Sequence, residues 1–156
     1  MGKITDTLQA FFSENEWATS EGREGSLVTG FAGRNGQWTC VAVSLEAQDQ
    51  LLFYSVCPVT TPTEKLGAIA ELLHRANYGM HIGNFEVDFT DGEIRFKTSI
   101  DTEGDEPSVA LYRNLIYMNC MMMDRYLPAI LKVIAGDTTP GEAVGEVENA
   151  QAADQT

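Results

Sequence analysis

Apolar residues recur along the chain at two periods, and the changes between them mark out its elements. Ile4, Leu8, Phe11 and Phe12 return at helical spacing and fade near Trp17, where Thr-Ser-Glu-Gly-Arg-Glu-Gly brings charge and glycine. This predicts a first helix followed by a loop. Residues 26–45 are rich in β-branched and aromatic side chains around Asn35-Gly36, a dipeptide suited to the positive φ angles of a type I′ turn. Two antiparallel strands follow, with Arg34 facing Gln37, Phe31 facing Cys40 and Val28 facing Val43. The run Leu-Leu-Phe-Tyr-Ser-Val-Cys-Pro-Val predicts a third strand that stops at Pro58, because proline cannot donate to a ladder. Thr61-Pro62-Thr63-Glu64 reads as a capping box opening a second helix, whose apolar stripe is Leu66, Ile69, Ala70, Leu73 and Ala76 and whose end falls at Asn77 to Gly79.

A second hairpin spans residues 82–100. With Asp91-Gly92 at its tip, Phe89 faces Ile94, Val87 faces Phe96 and Phe85 faces Thr98 on one side, while Asp88 faces Arg95 and Glu86 faces Lys97 on the other. The apolar side drives folding; the charge pairs, at about 0.2–1 kcal/mol each, only help choose a register. They read as a solvated face. The last long helix runs from Ser108 to Ala135, with Leu111, Leu115, Ile116, Met118, Met122, Tyr126, Leu127, Ile130 and Ile134 filling about half its circumference. Pro128 removes the partner of the Asp124 carbonyl, so a kink or break is expected between Met123 and Pro128. Gly136 closes this helix. Thr139-Pro140-Gly141-Glu142 repeats the capping-box pattern and starts one more short turn.

These elements make a single α+β domain, order α-β-β-β-α-β-β-α, built on a mainly antiparallel five-stranded sheet with helices packed on it. Residues 1–146 form the domain and 147–156 are expected to be a disordered acidic tail, too poor in apolar residues to pack. The formal net charge is −13, and the last twenty residues hold five acids and no base, which leaves ten bases against eighteen acids in the body. Acidity in both parts argues against nucleic acid and against anionic membrane surfaces. Cys40, Cys57 and Cys120 are odd in number and widely spaced, and the N-terminus has no signal-like apolar run, so a reducing, cytoplasmic setting is expected.

No catalytic constellation emerges, and neither a metal nor a cofactor is expected. His74 and His81 lack ligand spacing to each other or to a cysteine. Residues 101–107, Asp-Thr-Glu-Gly-Asp-Glu-Pro, place glycine at the fourth position instead of the sixth that a calcium loop needs, and Tyr112 stands where a bidentate Glu belongs. Cys120 sits among methionines with no neighbour to lower its pKa. The glycines of Gly-Phe-Ala-Gly-Arg-Asn-Gly lead into a strand and not into the helix N-terminus a phosphate site requires. Met118, Met121, Met122 and Met123 read as core, except Met121, which points to the polar arc and is the one methionine expected to meet a partner. Asn119 falls within the apolar arc and should be hydrogen-bonded to a loop backbone or a second helix.

The first hairpin is the anomaly. One of its faces carries Val28, Val41, Val43 and Leu45, the other Leu27, Phe31, Trp38, Cys40 and Ala42, so both are apolar. A sheet covered on one side should be polar on the other. A lid is therefore required, and a symmetry-related subunit, the N-terminal helix or a partner peptide could supply it.

The stretch HRANYGMHIGNFEVDFTDGEIRFKTSID, followed by LIYMNCMMMDRYLPAILKVIAG and TPGEAV, resembles the YbjN family, which carries the label of a bacterial sensory transduction regulator. The likeness is close over residues 60–145 and rests on element order before them. It implies a bacterial protein with the fold of type III secretion chaperones, small acidic platforms that often dimerise and hold a peptide segment of another protein. No catalytic residue comes with it. The expected function is a non-enzymatic protein-binding regulator or chaperone-like adaptor, a homodimer that engages a partner protein or basic peptide segment through apolar sheet surface around Phe31, Trp38 and Tyr54, with Met121 as a further contact. The alternative is a small-molecule sensor whose pocket lies between the sheet and the kinked last helix.

Overall fold

In the computed structural model, which describes residues 2–155, the chain forms α1 (Lys3–Glu14), β1 (Ser20–Glu21), β2 (Leu27–Ala32), β3 (Gln37–Leu45), β4 (Gln50–Val56), α2 (Leu66–Asn77), β5 (Asn84–Val87), β6 (Ile94–Asp101), α3 (Val109–Ala135) and α4 (Pro140–Asp154). The strands make one antiparallel sheet in the order β1-β2-β3-β4-β6-β5. The fold is α+β as expected, with six strands instead of five. The extra one, β1, is two residues long and pairs with Val28 and Leu27. Its Ser-Glu-Gly sequence has no strand signal. It forms because the chain turns back through Gly22, whose N–H donates to the Ser26 carbonyl at 2.8 Å.

Helices cover one face of this sheet. Trp38, Cys40, Ala42, Leu51, Phe53, Phe85, Ile94 and Phe96 are buried against α1, α2 and α3; the buried residues of α1 are those the helical spacing selects, whereas α2 buries Leu72 with Ile69, Leu73 and Ala76 and leaves Leu66 and Ala70 half-buried. α1 packs on α3 and β3, so it joins the common helical layer and does not wrap to the far side.

Helix α1 has a bare N-terminus, with Gly2 at the N-cap position. The cap comes from the turn after β3: Glu46 accepts hydrogen bonds from the Ile4 and Thr5 amides at 3.2 and 2.8 Å and from the Thr5 hydroxyl at 2.9 Å. Burial opposes ionisation of Glu46, but these donors outweigh it and hold its carboxyl below the usual range.

Both hairpins pair two residues away from the expected register, and each for a visible reason. In the first, Phe31 faces Trp38 and Val28 faces Val41. Neither Asn35 nor Gly36 takes a positive φ, so no type I′ turn forms there. The turn moves to Arg34-Asn35, closed by the Gly33 N–H on the Gly36 carbonyl at 2.8 Å, and it is also held from outside: the Arg34 and Asn35 amides donate to the Asp124 carboxylate at 3.1 and 2.8 Å. Gly33 is needed because a Cβ there would collide with that carboxylate. In the second, Phe85 faces Phe96 and Glu86 faces Arg95. Asp88 and Asp91 turn inward to accept the amides of Thr90 and Glu93 at 2.8 and 2.9 Å, which widens the loop. Asp88 therefore does not meet Arg95; Glu86 binds both Arg95 and Lys97, at 2.9 and 3.3 Å.

Three helix features also depart from expectation. The Thr61 capping box does not form, because Thr61 is buried with its N–H on the Gly92 carbonyl at 2.9 Å. Helix α2 then begins through a single tight turn at Thr63–Lys65. Helix α3 is uninterrupted from Val109 to Ala135, without the expected break at Pro128. The carbonyl that Pro128 leaves unpaired, on Asp124, is taken by the Asn35 side-chain amide at 2.9 Å. Beyond the Thr139 cap, whose hydroxyl accepts the Glu142 amide, α4 continues to Asp154, longer than the single turn expected. Ala143 and Val144 are buried and Glu146 reaches Lys132 at 2.8 Å, which anchors the first half of α4 against α3.

Candidate protein-binding face

The side of the sheet away from the helices carries Val41, Val43 and Leu45 on β3 beside Leu52, Tyr54 and Val56 on β4. The pairing sets Val41 against Tyr54, Val43 against Leu52 and Thr39 against Val56. All six apolar side chains are half-buried by their neighbours alone. With the Arg23–Ser26 segment at one rim and Glu93 and Arg95 at the other, all of them but Leu52 line a shallow concavity of about 400 Å³.

Period-two geometry makes this row. Residues 51–56 are nearly all apolar, so whichever parity turns to the helices, the other leaves apolar groups outside. The parity is decided by contacts on the covered side. There the buried Asn119 amide donates to the carbonyls of Phe53 and Phe96 at 2.8 and 3.0 Å and reaches the Thr98 hydroxyl at 3.1 Å. Asn119 thus locks α3 to β4 and β6. Its partners are strand carbonyls, not the loop or second helix expected, because α3 lies directly on the sheet.

Tyr54 is the ordered centre of the row. The Arg95 guanidinium lies 4.2 Å from its ring centroid, and Glu86 holds Arg95 in place, so the ring is gripped by a cation that is itself neutralised. At the far end of β4, Gln50 donates to Asp101 at 3.0 Å. That bond, with the Glu103 amide, keeps the Asp101 carboxyl below its usual range.

The residues singled out in the sequence do not form one surface. Phe31 and Trp38 are neighbours, 5.3 Å between ring centroids, but they face the helices: Trp38 is 6% exposed and Phe31 is half-buried against Trp17. Their side of the first hairpin is closed by α1 and α3, and the Val41 side is the one left open. Tyr54 lies on the open side. Met121 stands apart, on the outer surface of α3. Leu52 and Val56 belong to the open row and are legible only as alternate positions of an all-apolar run. On α3 the buried arc is turned toward Tyr112, Asn119 and Met123, leaving Leu111 and Met118 exposed.

The thiols lie inside. Cys40 and Cys120 approach to 4.0 Å in the core, and this contact together with burial pushes the Cys120 thiol up. Burial pushes Cys57 up to about 11. His74 and His81 are exposed. Among the described residues no three His, Cys, Asp or Glu side chains gather to hold a metal ion. No helix among them is long and apolar enough to cross a membrane.

Several solved structures share this architecture. The crystal structure of YbjN from E. coli superposes with a TM-score of 0.59 at 13% identity, covering 80% of this chain and 90% of that one. The HopA1–SchA chaperone–effector complex gives 0.53 at 16% identity over 80% of this chain and 93% of that one. The ExsC–ExsE complex gives 0.53 at 13% identity over 82% and 96%. At such identities the likeness is one of fold. No curated protein sequence matches the chain. The family model described as "Putative bacterial sensory transduction regulator" matches residues 5–132, most of the 156-residue chain, which therefore belongs to the YbjN family.

Proposed function

We propose that this protein is a cytoplasmic, dimeric, non-enzymatic adaptor that holds an extended segment of a partner protein on the open face of its sheet. The observation that carries this is the row Val41, Val43, Leu45, Leu52, Tyr54 and Val56, apolar and without a helical cover. Contiguous apolar surface of this kind marks interaction sites. The likeness to a chaperone solved with its effector is in keeping with such a role.

The segment is apolar at alternate positions and basic at its flank. Glu24 and Glu93 share the rim with Arg23 and Arg95, so the preference for a basic client over an acidic one rests on the chain's charge of −13. Tyr54 makes the central contact, and Met121 offers a separate one on α3. Phe31 and Trp38 contribute from the helix side, by packing the strands that present the row.

Capture of partners by the full chain from an extract of its source cells, alongside sedimentation, tests this. A Val43→Asp, Leu52→Asp variant with wild-type circular dichroism should lose the proteins that the wild type retrieves, and Arg113→Glu should lose none. A monomer that retrieves nothing, or identical captures by wild type and double variant, would overturn the proposal.

A further inference from the structure

A second concavity, of about 420 Å³, lies between the segment 78–83, α3 and α4. Four of the seven large apolar side chains most open to solvent line it: Tyr78 at 88% exposed, Met121 at 52%, Ile82 at 51% and Met118 at 36%. Exposed apolar groups are normally scattered. Their gathering here, away from the sheet face, needs its own account.

Arg125 supplies the chemistry. It is half-buried in the wall of this cleft, and its one hydrogen bond among the described residues runs from Nη1 to the Met122 thioether at 3.6 Å. A thioether is a weak acceptor. Arg75, Arg95 and Lys132, by contrast, each sit within 3.0 Å of a carboxylate. The next residue, Tyr126, lines the same cleft, and its hydroxyl has no hydrogen-bond partner among the described residues. Two adjacent donors at an apolar wall thus lack a strong acceptor. Glu148 faces them from α4, but it is exposed and beyond ion-pair distance of Arg125.

We propose that this cleft binds a free medium-chain fatty acid, with its carboxylate on Arg125 and the Tyr126 hydroxyl and its chain along Met118, Met121 and Ile82. A neutral apolar guest would leave the guanidinium desolvated and unpaired, which is costly. A small inorganic anion would use none of the apolar wall. An unbranched chain also suits methionines, which adapt their shape to it, and the volume falls within the range of small-molecule sites, about 300–1,000 Å³. Gly79 and Gly83 take left-handed φ values of 87° and 79°, turning the segment so that Tyr78 and Ile82 stand at the mouth of the cleft. None of this depends on what the sheet face engages, although Met121 is shared with the separate partner contact proposed for it above.

Calorimetric titration of the full chain with decanoate, kept below its micellar range, tests the assignment, with decanol and decyltrimethylammonium as controls. Decanoate should saturate a single site, decanol should bind at least about tenfold more weakly, and the cation should not bind. Arg125→Gln should cost about tenfold. Met121→Glu, at an exposed position that leaves the fold intact, should weaken binding as much or more, and Glu148→Gln should tighten it. Unliganded melting curves of the variants establish that they fold. Absence of saturable binding, equal affinity for decanoate and decanol, or affinity unchanged in both Arg125→Gln and Met121→Glu would overturn the assignment, as would binding of a carboxylate-ended apolar peptide where decanoate fails.

Discussion

Strand β4 sends Leu51, Phe53 and Ser55 to one side and Leu52, Tyr54 and Val56 to the other. The first row is fully buried by the helices; the second, no less apolar, is shielded only by its own neighbours. Composition does not separate them. What does is the set of directed contacts on the covered side, above all the Asn119 amide across the β4–β6 ladder. Equal apolarity with unequal cover is therefore informative: the covered row carries stability, and the open row is available for association.

The contrast can be broken most directly by shaving the same strand on either side. Phe53→Ala should destabilise the chain by about 3–5 kcal/mol in urea unfolding. Asn119→Ala should follow at about 2–3 kcal/mol, because the Phe53 and Phe96 carbonyls are then buried without their donor. Asp124→Ala should cost about 1–2 kcal/mol and speed hydrogen exchange at the Arg34 and Asn35 amides, while leaving Leu52 and Val56 protected.

Smaller still is Glu46→Gln, at about 1 kcal/mol, the usual worth of a helix cap. The sign of its pH dependence follows from the lowered folded-state pKa. Ionised Glu46 stabilises fully above the ordinary glutamate range, and this contribution is lost as pH falls through the depressed value. The Gln variant should show a flatter acid limb than wild type in pH-dependent unfolding. Smallest is Leu52→Ala, at under about 1 kcal/mol for a chain studied at low concentration. A cost near that of Phe53→Ala, growing with protein concentration, would mean that a second copy already covers the open row.

Much of the architecture is legible in the residue pattern. The α+β class, the long strands, and the stops at Asn77 and Gly136 follow from period and punctuation. Face assignment survives even where register does not, because a slip of two residues preserves parity. What the pattern hides are partners distant in sequence: Asp124 at the first hairpin tip, Glu46 on α1, and Gly92 against Thr61, where a Cβ would collide with the Thr61 carbonyl. The candidate face is half visible. Val41, Val43 and Leu45 stand out by alternation, but only the packing of α3 tells which side of β4 remains open, and so sends Trp38 inward and Tyr54 outward.

Pro128 has a further consequence through the acceptor it leaves free. The Asn35 side chain that fills it is 89 residues away in sequence, as is the backbone contact to the same aspartate. The alignment of the first hairpin is thus settled by a helix made long after it, late in synthesis and across a large loop closure. A fragment ending before that helix has only Asn35-Gly36 to guide it and should zip up two residues out of step. Full-length chains must then release this early pairing before the tip can dock, a correction that a time-resolved refolding experiment would see as a slow phase removed by Asn35→Ala.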